Sequence, residues 1–137
     1  MTITQAEKMH AVAIAKLIMQ AMNYDCCQYF AGPEHTLQDF ENMMIRLVEA
    51  DNSQYSYRNS IVALADDGNV AGVSVSYDGK DLRYLRKAFV AAALEAFGRD
   101  FSDIDDETQA GELYLDSIAV DERYRRQGIA KKLLNAT

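Results

Sequence analysis

Residues 111–132 read Gly111-Glu112-Leu113-Tyr114-Leu115-Asp116-Ser117-Ile118-Ala119-Val120-Asp121-Glu122-Arg123-Tyr124-Arg125-Arg126-Gln127-Gly128-Ile129-Ala130-Lys131-Lys132. The run from Leu113 to Val120 has the composition of a strand. Arg125 to Gly128 form a basic turn, and Ile129, Ala130, Leu133 and Leu134 then recur at the spacing of a helix face. Strand, turn and helix in that order make an anion site. The first backbone N–H groups of a helix have no intrahelical acceptor, and the aligned peptide dipoles put partial positive charge beside them. Gly128 lets the backbone approach a ligand closely and Ala130 keeps the rim small, while Arg125, Arg126 and Lys131 reverse the charge of an otherwise acidic chain.

The turn is neither of two common phosphate motifs. A P-loop needs Gly-Lys-Ser/Thr closing a glycine-rich loop, and a dinucleotide fingerprint needs three glycines where this turn has one.

Upstream of that stretch the chain alternates between the two periodicities. Thr2 to Ala6 read as a short strand, and Ile14, Leu17, Ile18, Ala21 and Met22 as one face of a first helix. Pro33 lies in an Ala-Gly-Pro-Glu turn, after which Thr36, with Asp39 three residues on, predicts the cap of a second helix buried through Leu37, Phe40, Met44, Leu47 and Val48. Asp51 to Asn59 are polar and predicted as loop. Ile61 to Ala65 and Val70 to Tyr77 flank Asp66-Asp67-Gly68-Asn69 and predict an antiparallel hairpin turning at Gly68. A third helix follows through Leu85, Phe89, Ala92, Ala93 and Ala96, with Gly98 as its stop. From Asp100 to Asp116 there are seven acidic residues and no basic one, the pattern of a solvated loop.

Composition bounds the rest. The 137 residues suit a single domain 1–137, and no repeat or linker divides them. A net charge of −7 argues against a sequence-independent grip on nucleic acid, which needs a basic face. No apolar run approaches the roughly 20 residues of a membrane helix, and Gln5, Glu7 and Lys8 interrupt any secretory pattern, so no membrane partner is expected and the cytoplasm is the default compartment. Cys26 and Cys27 are adjacent, which rules out an ordinary staple between them, and no ligand pair at metal spacing accompanies them, so no metal is expected. His10 and His35 have no partner at catalytic spacing and read as helix-surface or core residues.

Arg125-x-x-Gly128-x-Ala130, after a strand ending Ile118-Ala119-Val120 and the lead-in Asp121-Glu122-Arg123-Tyr124, resembles the acetyl-CoA motif of the GNAT N-acetyltransferases. The order of elements before it is similar to that family too. The resemblance implies an α/β fold, a mixed and largely antiparallel sheet with helices on both faces, splayed at the motif strand. It implies that the backbone of Arg126, Gln127, Gly128, Ile129, Ala130 and Lys131, with Arg125 beside it, holds the pyrophosphate of acetyl-CoA. Ile118, Ala119 and Val120 would meet the pantetheine arm, with Ile118 and Val120 offering main-chain groups. The implied reaction is direct attack of a primary amine, on a small molecule or a protein, upon the acetyl thioester. Such an amine must first lose a proton. Members that use a carboxylate base carry it on this strand; with regular alternation Glu112, Tyr114, Asp116, Ile118 and Val120 share a face, which makes Asp116 and Glu112 the candidate bases. A backbone N–H near Ile118 is the candidate polariser of the thioester carbonyl.

Two departures from the family pattern stand out. About 33 residues, 78 to 110, separate the hairpin from the motif strand, and this helical insertion is expected to act as a lid or a substrate-side wall. The sequence ends at Thr137, about two turns into the motif helix. The expectation is therefore a fragment of a longer protein, with the later strands and helix, and the tyrosine that often protonates the departing thiolate, in the missing part. The alternative function is a non-catalytic acyl-CoA-binding or regulatory module, and a third is a structural domain with an adventitious anion site. The acceptor stays open, as does a homodimer.

Overall fold

The computed structural model describes residues 1–78, 81–101, 113–125 and 127–137, with backbone alone for 82, 83 and 113–117. Strands β1 (Thr2–Gln5), β2 (Ser60–Leu64), β3 (Val70–Asp78) and β4 (Leu113–Val120) form one sheet in the order β1-β2-β3-β4, and every neighbouring pair is antiparallel. The helices are α1 (Ala11–Met22), α2 (Tyr24–Ala31), α3 (Leu37–Glu49), α4 (Leu82–Phe97) and α5 (Ile129–Ala136).

Local chemistry sets most boundaries. Thr36 Oγ1 accepts from the Asp39 amide at 3.1 Å while Asp39 Oδ2 accepts from the Thr36 amide at 3.0 Å, so the predicted capping box starts α3. Those bonds, with the Thr36 backbone N–H the largest contributor, hold the Asp39 carboxyl below the usual carboxylate range. The β2–β3 hairpin turns at Gly68, whose φ of 87° is left-handed, and Asp67 braces it by accepting from the Asn69 amide at 3.0 Å. Gly98, also left-handed, ends α4 by donating its N–H to the Leu94 carbonyl.

Two features go beyond the expectations. The first helix stands as predicted, with Ile14, Leu17, Ile18, Ala21 and Met22 all on α1, and a further helix, α2, follows after Asn23, which takes φ 81° and caps α2 by accepting from the Asp25 amide at 2.8 Å. Asparagine is a favoured cap residue, and its side chain satisfies one of the unpaired amides at the start of α2. Residues 51–59 are irregular, as predicted, but not merely solvated: Ser53, Gln54, Tyr55 and Ser56 are buried. Side-chain donors make that possible, since Asn59 Nδ2 donates to the Ser53 carbonyl and Ser60 Oγ to the Ser56 carbonyl, each at 3.2 Å, while Gln5 Nε2 ties down the next turn through the carbonyls of Tyr57 and Ser60, each at 2.9 Å.

The sheet separates two cores. Val62, Val73, Val75 and Ala119 face α1 and α3, joining Ile14, Ile18, Phe40, Met43, Met44 and Val48 in a continuous buried cluster that takes in Phe89 of α4. On the opposite face Ala63 and Ala71 pack with Ile129 and Leu133 of α5. Ala130 and Leu134, expected on the apolar face of α5, are exposed, because Ile129 and Leu133, one turn apart, form the stripe that faces the sheet and their successors lie about 100° round the helix. Among the described residues no helix is long and apolar enough to cross a membrane.

Candidate functional site

The site is built on β4, which is paired on one side only among the described residues. Ala119 pairs with Val73, and two residues on the Asp121 amide donates to the Ala71 carbonyl at 2.7 Å. In an antiparallel pair the N–H and C=O of one residue point to the same side and alternate along the strand. Ala119 and Asp121 therefore turn toward β3, while Ile118 and Val120 turn their main-chain groups to the open edge. One of those groups is engaged: Gln20 Nε2 of α1 donates to the Val120 carbonyl at 3.2 Å. Both groups of Ile118 and the N–H of Val120 face the same edge, which no strand covers among the described residues.

The register shifts within β4. The pairs run from Gly72↔Val120 to Val75↔Ser117 and resume at Ser76↔Leu115, leaving Asp116 over. A bulge of this kind bends and twists a strand. It also changes the phase, so the unbroken alternation expected for Glu112, Tyr114, Asp116, Ile118 and Val120 does not hold across Asp116. Asp116 lies at the shift itself. Glu112 lies outside the described residues, as do Asp103, Asp105, Asp106 and Glu107 of the acidic segment.

Beyond β4 the lead-in is a tight 3-10 turn, Glu122–Tyr124. Asp121 Oδ1 accepts from the Arg123 amide at 2.9 Å, and its two oxygens take the Arg123 guanidinium, each at 3.2 Å. The Arg123 side chain first, then its backbone N–H, hold the Asp121 carboxyl below the usual carboxylate range. Arg123 in turn lies over the Tyr124 ring, 5.5 Å from its centroid.

The chain then turns through Gly128, at φ 73°, straight into α5. The Lys132 amide donates to the Gly128 carbonyl at 3.1 Å, the first bond of the helix, so the amides of Gly128, Ile129, Ala130 and Lys131 precede any intrahelical acceptor. A Cβ placed on Gly128 would meet nothing within 4 Å, so the space beside Gly128 at the start of α5 is open among the described residues. Arg125, Gln127, Gly128, Ala130 and Lys131 are exposed around it, and Ile129 is buried as the anchor beneath. Arg126 lies outside the described residues. An open row of amides with cations on its rim fits a diphosphate.

The same site has a seat that constrains it. A Cβ on Gly72 would fall 3.0 Å from Leu133 Cδ1, 3.1 Å from the Ala119 carbonyl oxygen and 3.2 Å from Ile129 Cγ2. Glycine there lets α5 lie directly on β3 and β4.

Other reactive groups are accounted for. Cys26 and Cys27 are free thiols; burial, then the neighbouring Cys26, pushes the Cys27 thiol up to about 11, which keeps it protonated and a poor nucleophile. His10 Nδ1 accepts from the Glu7 amide at 3.0 Å and His35 packs on Phe97 with ring centroids 5.0 Å apart, so both serve the helices. Among the described residues no three His, Cys, Asp or Glu side chains converge as a metal site. Sequence reasoning missed Gln20, because a glutamine on a helix carries no signal of a partner 100 residues away.

Residues 18–137 match the model of the Acetyltransferase (GNAT) family. The chain is similar to a crystal structure of an acetyltransferase, at 29% identity and a TM-score of 0.80, covering 99% of this chain and 71% of that one. It is similar in fold to an N-acetyltransferase from Staphylococcus aureus Mu50, at 23% identity and a TM-score of 0.79, covering 99% of this chain and 74% of that one. A third structure, described as histone acetyltransferase HPA2 and related acetyltransferase from Corynebacterium glutamicum, aligns at 16% identity and a TM-score of 0.64 over 98% of this chain and 68% of that one. No curated protein sequence matches.

Proposed function

The chain belongs to the acetyltransferase (GNAT) family, and on that premise we propose that it moves an acetyl group from acetyl-CoA to a primary amine, working in the cytoplasm. One observation carries the proposal: the open row of amides from Gly128 to Lys131 follows directly on the outward main-chain groups of Ile118 and Val120. A diphosphate on the first, a pantetheine arm along the second and a thioester near the shift at Asp116 form one continuous path. Arg125, Arg126 and Lys131 stabilise the phosphates, and Gln127 lines the same turn.

In this reading the neutral amine attacks the acetyl carbon, its proton passes to a base, the C–S bond breaks and the thiolate leaves to be protonated. Asp116 is the preferred base and Glu112 the second candidate; the Ile118 N–H polarises the carbonyl. Residues 1–137 act as a single domain, and α4 with its flanks, about 78–110, walls the acceptor side.

The test is thiol release from acetyl-CoA over a panel of small-molecule and protein amines. Release with at least one amine, cut about a hundredfold by Asp116→Asn, is expected. Binding of acetyl-CoA without release from any amine contradicts the enzyme and leaves a binding module.

A further inference from the structure

The peptide joining Val120 to Asp121 is the last of β4 and the first of the lead-in, and it is gripped at both ends. Its N–H, on Asp121, donates to the Ala71 carbonyl of β3 at 2.7 Å. Its C=O, on Val120, accepts from Gln20 Nε2 of α1 at 3.2 Å. The first bond continues the sheet ladder. The second comes from a helix 100 residues earlier in sequence and reaches the edge of β4 that no strand covers among the described residues.

We propose that Gln20 is a positioning residue for the cosubstrate, an inference that rests on the acetyl-CoA reading of this edge. The plane of this peptide sets the direction in which the chain leaves the strand, and hence where Gly128 and the amides of α5 stand relative to Ile118 and Val120. With its N–H already tied to β3, a donor on the C=O fixes the plane. Leucine at this position leaves the carbonyl to water; glutamate sets a carboxylate against a carbonyl oxygen, two acceptors facing each other. By occupying that carbonyl, Gln20 also decides which edge groups remain for the pantetheine arm: the N–H of Val120 and both groups of Ile118. Gln20 touches no reacting atom and acts through the backbone it holds.

The inference predicts that affinity follows hydrogen-bond donation at position 20 rather than stability. Acetyl-CoA is titrated calorimetrically into the whole chain and into Gln20→Leu, Gln20→Glu and Gln20→Lys, with the melting temperature of each ligand-free protein recorded. Gln20→Leu should weaken binding about tenfold, Gln20→Glu should weaken it further, and Gln20→Lys, which keeps a donor of similar reach, should stay within about threefold of the parent. A Gln20→Leu protein that binds like the parent, or affinities that track melting temperature instead of donation, overturns the role of Gln20 alone. Absence of acetyl-CoA binding in the parent overturns the site reading and this inference with it.

Discussion

On one face of the sheet Val62, Val73, Val75 and Ala119 lie under α1 and α3, with Phe40, Met43 and Met44 fully buried and Phe30 stacked on Phe40 and edge-on to Phe89 and Phe101. On the other, Ala63 and Ala71 meet one eight-residue helix through Ile129 and Leu133. Among the described residues the first face carries the larger buried cluster, and the second a smaller one built around α5. The proposed phosphate site stands at the start of the helix on the second face. A protein so arranged should be able to lose its site and keep its fold, because the energy that positions the amides is a small part of the whole.

Substitutions of graded severity probe that asymmetry. Phe40→Ala empties the middle of the thick core and should cost about 3–5 kcal/mol, lowering the denaturation midpoint of the entire molecule. Leu133→Ala strikes the thin side; it should cost roughly 2–3 kcal/mol, low in the usual range because a cluster this small collapses readily. Acetyl-CoA binding should vanish in that variant while the near-ultraviolet signal of the aromatic cluster persists. Equal loss of both signals in Leu133→Ala would erase the distinction between the faces. Gly72→Ala sharpens it further by adding one methyl under α5, for about 1–2 kcal/mol. Its expected signature is weaker acetyl-CoA binding with a midpoint lowered less than in Phe40→Ala, and unaltered binding would mean that α5 tolerates being lifted from the sheet.

What could be read from the sequence was whatever is decided within a few residues. Thr36 with Asp39, Gly68 between two β-rich runs, Gly98 after α4 and Gly128 before α5 each act on their own neighbours, and each stands where the pattern put it. The strand-turn-helix of the site was legible for the same reason. Features made by distant pairing were not. The shift at Asp116 depends on how β4 registers with β3, the burial of Ser53 to Ser56 on contacts such as the Gln54 N–H to the Leu85 carbonyl of α4, and the grip on Val120 on a residue of α1. Helix α2 lies between these cases: its cap at Asn23 is local, but the sequence pattern predicts no helix between Met22 and Pro33. A local signal thus located the site, while long-range contacts set its geometry.

The most direct measurement is calorimetric titration of acetyl-CoA into the parent chain and into Gly128→Glu, with helix content checked by circular dichroism. Glutamate would hold a strained left-handed backbone and set a carboxylate in the open space before the amides of α5. The account predicts saturable binding by the parent and a loss of at least about a hundredfold in the variant, as charge repulsion joins the obstruction of the cradle. Equal binding by the two proteins, at unchanged helix content, would contradict it.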